Sequence, residues 1–176
     1  MTAPYYADDW VTLYHGDCLE LMPHIPTVAH IITDPPYSEH THKPVRRSNI
    51  THRDRGARYG ADTRRNVDLG FGHLTPEVRS ACASQFARLT TRWCIAFSDI
   101  ESSHLWRADL EHAGLDYVRT GAWIKVGSTP QFSGDRPATG FEALTICHQP
   151  GRKRWNGGGK HAIWSVPIVL DRGAQG

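Results

Sequence analysis

The chain has 176 residues, 39% of them hydrophobic, and a formal net charge of +2, which suits a single domain (1–176) with a packed core. No run approaches the roughly 18 consecutive apolar residues of a membrane span, and Met1 to Trp10 lacks the basic head and apolar run of a secretory signal, so the expected location is cytoplasmic, with no membrane contact. Cys18, Cys82, Cys94 and Cys147 form no CxxC pair and no zinc-finger spacing with histidine, and are expected as free, mostly buried thiols.

In chain order, Val11 to His15 reads as a first strand ending at Gly16-Asp17. A short helix follows over Cys18 to Met22 and stops near Pro23. Ala29 to Thr33 is a buried-strand signal, cut off by Asp34-Pro35-Pro36-Tyr37: an apolar run that ends in a polar residue and two prolines delivers a loop. Residues 40–66 have almost no apolar periodicity and carry eight cations (Lys43, Arg46, Arg47, Arg53, Arg55, Arg58, Arg64 and Arg65) against two acids. This is expected as a long mobile loop, which in a compact domain is usually functional or disordered. Asp68-Leu69-Gly70-Phe71-Gly72 superficially matches a glycine-rich cofactor loop, but no apolar strand precedes it; it reads as a hinge where the basic loop rejoins the fold.

Thr75 is an expected N-cap with Pro76 at the first helical position. The spacing of Val78, Ala81, Cys82, Phe86 and Leu89 predicts a helix with one buried face. Trp93 to Phe97 is a strand ending at Ser98-Asp99. Ser102 to Ala113 is helical, with Leu105, Trp106 and Leu110 inward and Gly114 as C-cap. Strands over Tyr117 to Lys125 and Phe141 to His148 are joined by 127–140. The segment 150–176 is rich in glycine and basic residues, with a short strand near Ile163 to Val169. Strands alternating with helices predict an α/β domain with a mainly parallel sheet. Ligands in such sheets bind at the carboxyl ends of the strands, where Asp34 and Asp99 fall. Trp93, Trp106 and Trp123 are expected in the core.

Asp34-Pro35-Pro36-Tyr37 has a specific chemical use. The nitrogen of an exocyclic amino group is a poor nucleophile, because its lone pair is delocalised into the ring. An acceptor on each N–H draws it toward tetrahedral geometry and frees the lone pair. Asp34 can supply one acceptor. The Pro35 carbonyl can supply the other, since proline disfavours the regular pairing that would consume it. Tyr37 can stack on a base extruded from a duplex. Arg152, Lys153, Arg154 and Trp155 are candidates for phosphate and stacking contacts beside the basic loop. His40, His42 and His52 lie in a loop with no rigid frame, so no metal site is expected.

At these residues the chain resembles the DNA N4/N6 amino-methyltransferases that carry a DPPY signature. Leu13-Tyr14-His15-Gly16-Asp17-Cys18-Leu19 looks like their opening strand and turn. Ile31-Ile32-Thr33-Asp34-Pro35-Pro36-Tyr37 looks like their catalytic strand, and the strands near Trp93, Tyr117 and Phe141 look like the later ones of the target-base half. Gly151-Arg152-Lys153-Arg154-Trp155-Asn156-Gly157-Gly158-Gly159 resembles a loop of phage-type and bacterial members. The resemblance implies a Rossmann-like S-adenosylmethionine-dependent methyltransferase sheet, S-adenosylmethionine as cofactor and double-stranded DNA as partner. It places Asp17 at the position that contacts the cofactor's adenosine, although an aspartate after a strand is also an ordinary turn residue. Aspartate at the first motif position implies adenine N6 ahead of cytosine N4.

The chain departs from the family in one large respect. A His-Pro-Thr-x-Lys-Pro-like segment and an Asp-Pro-Phe-x-Gly-x-Gly strand are absent. The sheet is therefore expected to be incomplete, with an apolar edge unpaired beside Ile31-Ile32. Either a second polypeptide supplies the cofactor half, or the chain is a truncated, catalytically inactive DNA-binding remnant.

Overall fold

A computed structural model of the chain describes residues 3–38, 72–128 and 134–167. Residues 43–65, which carry the eight cations of the basic segment, lie outside them, as do His40, His42, His52, residues 68–71 and residues 168–176.

The N-terminal residues differ from expectation. In place of one strand over Val11 to His15, β1 (Tyr6–Ala7) and β2 (Thr12–Leu13) form a separate antiparallel pair in which every residue is exposed. The cause is local. Asp8 Oδ1 accepts from the amides of Trp10 and Val11 at 2.8 and 2.7 Å, and Tyr6 donates its hydroxyl to Asp8 Oδ2 at 2.7 Å. This Asx-type turn closes a hairpin before the apolar run can reach the main sheet.

Asp17 then caps α1 (Cys18–Leu21), accepting from the Leu19 amide at 2.7 Å, and a 3-10 turn over Met22–His24 follows. The main sheet is built from β3 (Val28–Thr33), β4 (Thr90–Ser98), β5 (Asp116–Val126), β6 (Phe141–His148) and β7 (Ile163–Pro167), in the order β3-β4-β6-β5-β7. β3/β4 and β5/β7 pair in parallel, while β6 runs antiparallel to both its neighbours. Four strands thus share one direction. β6 returns antiparallel beside β5 after the link of residues 127–140, whereas β3 and β4 are joined by a longer crossover that contains α2.

Two helices cover one face. Thr75 caps α2 (Pro76–Leu89), accepting from the Val78 amide at 3.3 Å, and α3 (Ser103–His112) ends in Gly114 at φ +100°. The buried faces hold most of the expected residues and differ at their margins. Ala83 is buried with Cys82, Phe86 and Leu89, while Val78 and Ala81 are exposed; in α3, Trp106 and Leu110 are buried and Leu105 is exposed. The reason is that the helices also pack on each other, through Phe86 stacked on Trp106 and Arg79 paired with Asp109 at 2.6 Å.

Strand alternation divides the core in two. Cys94, Ala96 and Cys147 face the helices and pack with Phe86, Trp106 and Leu110. Trp93, Leu144 and Ile146 face the other way, with Ile95, Phe97, Val118 and Trp123 against them. Cys82, Cys94 and Cys147 are buried free thiols, and Cys18 is exposed. The sheet is partial, as the sequence predicts: among the described residues no strand pairs with the outer edge of β3, and Ile32 is 70% exposed. No helix among the described residues is long and apolar enough to cross a membrane.

Candidate active site

Asp34, Pro35, Pro36 and Tyr37 leave β3 at the end where β4 and β5 also finish. Thr33 pairs with Ala96, two residues before Ser98, so the loop emerges beside Ser98-Asp99. Because β6 is reversed, its first residues lie at this same end: Ala143 pairs with Ser98, and Glu142 with Trp123. The topology thus brings the Asp34 loop, the end of β5 and the start of β6 together.

A second aspartate fixes the loop. Asp99 is buried and accepts from the Ser38 amide at 3.1 Å, the Ser38 hydroxyl at 2.6 Å and the Ser102 amide at 2.8 Å. It therefore caps the 3-10 turn before α3 and holds the residue after Tyr37. The Leu74 amide donates to the Tyr37 carbonyl at 3.2 Å and ties the loop to the entry of α2. Losing a hydroxyl bond to a buried carboxylate costs about 1.5–3 kcal/mol. Ser38→Ala should therefore lower unfolding stability by about 1–2 kcal/mol in a urea titration, with the Ser38 amide retaining its own bond.

The polar groups around Tyr37 form one network. Lys125 pairs with Glu142 Oε1, and Lys125 Nζ lies 5.0 Å above the ring of Trp123, which in turn packs edge-on against Phe97 at 5.8 Å. Burial, together with donation toward Glu142 and Asp34 and the charges of both, holds the Tyr37 phenol far above the ordinary range. Tyr37 is a permanent donor. Asp34 is exposed as a residue, yet partial desolvation of its carboxylate and the nearby charge of Glu142 raise its pKa, against the weaker pull of the Tyr37 hydroxyl and Lys125. Glu142 Oε2 is buried and has no hydrogen-bond partner among the described residues. The site therefore presents two acceptor carboxylates, one solvent-facing and one buried with a spare oxygen, over an aromatic floor.

Of the residues singled out from sequence, Asp34, Pro35, Pro36 and Tyr37 are together here and Asp99 anchors them. Asp17 lies on another element, capping α1 through Oδ1. Arg152, Lys153 and Arg154 are exposed on the segment after β6, away from this loop, with Lys153 paired to Asp116 at 2.8 Å. Lys125 and Glu142 were not singled out from sequence. The available signal was Glu142 itself, a carboxylate inside the otherwise apolar run Phe141 to Cys147. Among the described residues no cluster of metal-ligating side chains occurs.

The sequence matches no protein-family profile and no curated protein. Its fold does match solved structures. The chain aligns with M1.HpyAVI, solved as a complex with SAM, at 17% identity and a TM-score of 0.51, covering 81% of this chain and 56% of that one. It aligns with TTHA0409 of Thermus thermophilus, described as a candidate DNA modification methylase and solved with S-adenosyl-L-methionine, at 15% identity and a TM-score of 0.52, covering 86% and 65%. At these identities the likeness establishes the fold alone: a mixed α/β sheet that the chain shares in part with these two structures. The chain spans less than two thirds of the length of either structure.

Proposed function

We propose that the chain is the target-base half of a DNA amino-methyltransferase, using S-adenosylmethionine and acting on the exocyclic nitrogen of a flipped base, adenine N6 ahead of cytosine N4. The observation that carries the reading is the Asp34-Pro35-Pro36-Tyr37 loop at the carboxyl end of β3, braced by Asp99 and facing Glu142. Asp34 accepts one amino proton and the Pro35 carbonyl accepts the other. Tyr37 stacks on the base while its hydroxyl stays protonated. Glu142 Oε2, a buried carboxylate oxygen without a partner among the described residues, is an alternative acceptor for one of the two amino hydrogens.

The fit to the cofactor is partial. Asp17 Oδ2 makes no hydrogen bond among the described residues and is free for a ribose hydroxyl. Ile32, open on the face of β3 next to Asp34, supplies apolar surface. Among the described residues the outer edge of β3 is unpaired, and a second chain that adds strands there is part of the proposal, since an uncovered edge is otherwise an aggregation hazard. When bound, S-adenosylmethionine supplies an electrophilic sulfonium methyl. Duplex contact is assigned to Lys43, Arg46, Arg47, Arg53, Arg55, Arg58, Arg64 and Arg65, with Arg152, Lys153 and Arg154, so DNA affinity falls steeply with salt.

The test is calorimetric titration of S-adenosylmethionine into the folded chain, together with labelled-methyl incorporation into unmethylated DNA. Both are run with the chain alone and co-expressed with the products of its neighbouring genes. Methyl label recovered as N6-methyladenine is the expected result, and N4-methylcytosine would correct the base. Cofactor binding by the chain alone would remove the second chain from the proposal. DNA binding without methyl transfer in every combination would make the chain a non-catalytic DNA-binding remnant.

A further inference from the structure

The strands have a second end. Toward the start of β4 and β5, on the face away from the helices, residues 149–162 fold back over the sheet and border a half-open cavity of about 900 Å³. Its walls hold Trp93, Trp155 and Trp164 together with the cations Arg119, Lys153 and Lys160, and among the described residues no carboxylate lines it. Its floor lies away from the Asp34 loop: Trp93 sits three residues before Ala96, the partner of Thr33, and Val118 and Ile146 are at the far end of their strands from Lys125 and Glu142, while Trp164, in register with Trp123, forms the wall nearest that loop.

Several contacts make this a formed site. The Trp93 indole N–H and Arg92 Nη2 both donate to the Arg154 carbonyl, at 2.8 and 3.0 Å. Trp155 packs edge-on against Trp93 at 5.2 Å, and Lys153 is tied to Asp116. The glycines are required by space and by backbone. A Cβ at Gly157 would sit 2.6 Å from Trp155 Nε1, and one at Gly121 would sit 2.9 Å from Trp164 Cζ3, while Gly158 has φ +66°. Despite this anchoring, Trp155 and Trp164 are 48% and 38% exposed. Neither Arg119 nor Lys160 forms an ion pair among the described residues. Large indoles left open inside a concavity, with unpaired cations at its rim, match a flat aromatic ring that carries negative charge.

We propose that this cavity is a nucleotide-binding site separate from the Asp34 loop, in which Trp155 and Trp164 stack on the base and Arg119 and Lys160 hold the phosphate. The volume falls within the range of small-ligand sites, about 300–1,000 Å³. The nucleotide is either free or one unit of a single strand, for which exposed Arg152 and Arg154 continue the cationic track. The inference does not depend on methyl transfer.

Tryptophan fluorescence of the full chain, titrated with deoxyadenosine monophosphate and separately with a single strand of about 12 nucleotides, the span of one single-strand site, tests it. Saturable quenching by the mononucleotide is expected. Equal affinity for both probes identifies a free nucleotide, and at least tenfold tighter binding of the strand identifies single-stranded nucleic acid. Trp155→Ala should weaken mononucleotide binding about tenfold, Trp155→Phe should restore most of it, and Lys160→Glu, on an exposed loop that folding does not need, should weaken it as well. Asp34→Ala should leave it unchanged. No saturable quenching by either probe, from a sample folded by circular dichroism, overturns the site. So does mononucleotide binding indifferent to Lys160→Glu and Trp155→Ala.

Discussion

Asp34→Ala should reduce methyl transfer on the order of 10²–10³-fold or more, because a positioned charged partner lost from a transition state costs about 3–4 kcal/mol. DNA affinity, measured by fluorescence anisotropy, should be unchanged, since the proposal gives phosphate contact to the basic residues and not to Asp34. Asp34→Asn should be as inactive, but for a separate reason: the amide can still accept a hydrogen bond yet no longer carries the charge that withdraws a proton. The pH dependence follows from the raised pKa of Asp34. In the proposed reaction Asp34 acts as its carboxylate, so kcat/KM should rise with pH through an acidic limb placed above the ordinary aspartate value. Glu142→Gln should move that limb back down, because the Glu142 charge is the second cause of the rise. Stability runs the opposite way. A carboxylate whose folded pKa exceeds its unfolded pKa binds its proton more tightly when folded, so its ionisation opposes folding at neutral pH, and that cost vanishes as pH falls below the unfolded value. Asp34→Asn should therefore melt slightly higher than the parent chain at pH 7, on the order of 1–2 °C, and at the same temperature well below the carboxylate range. A variant that keeps full turnover would dismiss Asp34 as an acceptor; one that melts markedly lower at pH 7 would show that Lys125 and Tyr37 outweigh Glu142.

Most of the sheet was legible because each strand carries its own punctuation. Phe141 to His148 is bounded as read, and Thr75-Pro76 announced α2 with both its cap and its first-turn proline. The Asp34 loop was legible for the same reason: the motif is four consecutive residues, and the strand before it fixes where they emerge. One failure is local and the others are not. Val11 to His15 has the pattern of a strand, but Asp8 captures two amides and turns the chain back on itself. Helix faces were read correctly at Cys82, Phe86, Leu89, Trp106 and Leu110 and missed at Val78, Ala81 and Leu105, because the spacing records burial against the sheet and not the added contact between α2 and α3. Lys125 and Glu142 lie on either side of the residue 127–140 link, and both reach a loop that begins at residue 34. Only the order β3-β4-β6-β5 places them there, and nothing in local periodicity specifies which strands become neighbours.

The Lys125–Glu142 pair also gives the second large effect, on stability. The Lys125 side chain is 33% exposed and that of Glu142 12%, so the pair is neither a solvated surface bridge of little value nor a dry one. Removing one partner of a fully buried pair costs about 3–5 kcal/mol, because the remaining charge is left uncompensated. With a third of the lysine in water, Lys125→Met should cost about 2 kcal/mol, and at roughly 2–4 °C per kcal/mol for a chain of this size the melting temperature should fall by about 4–8 °C. The penalty belongs to the stranded carboxylate and not to the lost attraction. Lys125→Met combined with Glu142→Leu should therefore regain most of the melting temperature, since an apolar pair of similar volume replaces the ions at little net cost. Function should separate from stability in that double variant: it folds, but its site has lost the spare Glu142 oxygen, so target-base affinity should fall even where the protein is fully native. If Lys125→Met melts with the parent chain, Glu142 has another way to discharge its burial, and the network around Tyr37 is softer than its geometry implies. If the double variant stays as unstable as the single one, the loss lies in packing over Trp123 and not in charge, and the lysine stem, not its ammonium, is what the fold uses.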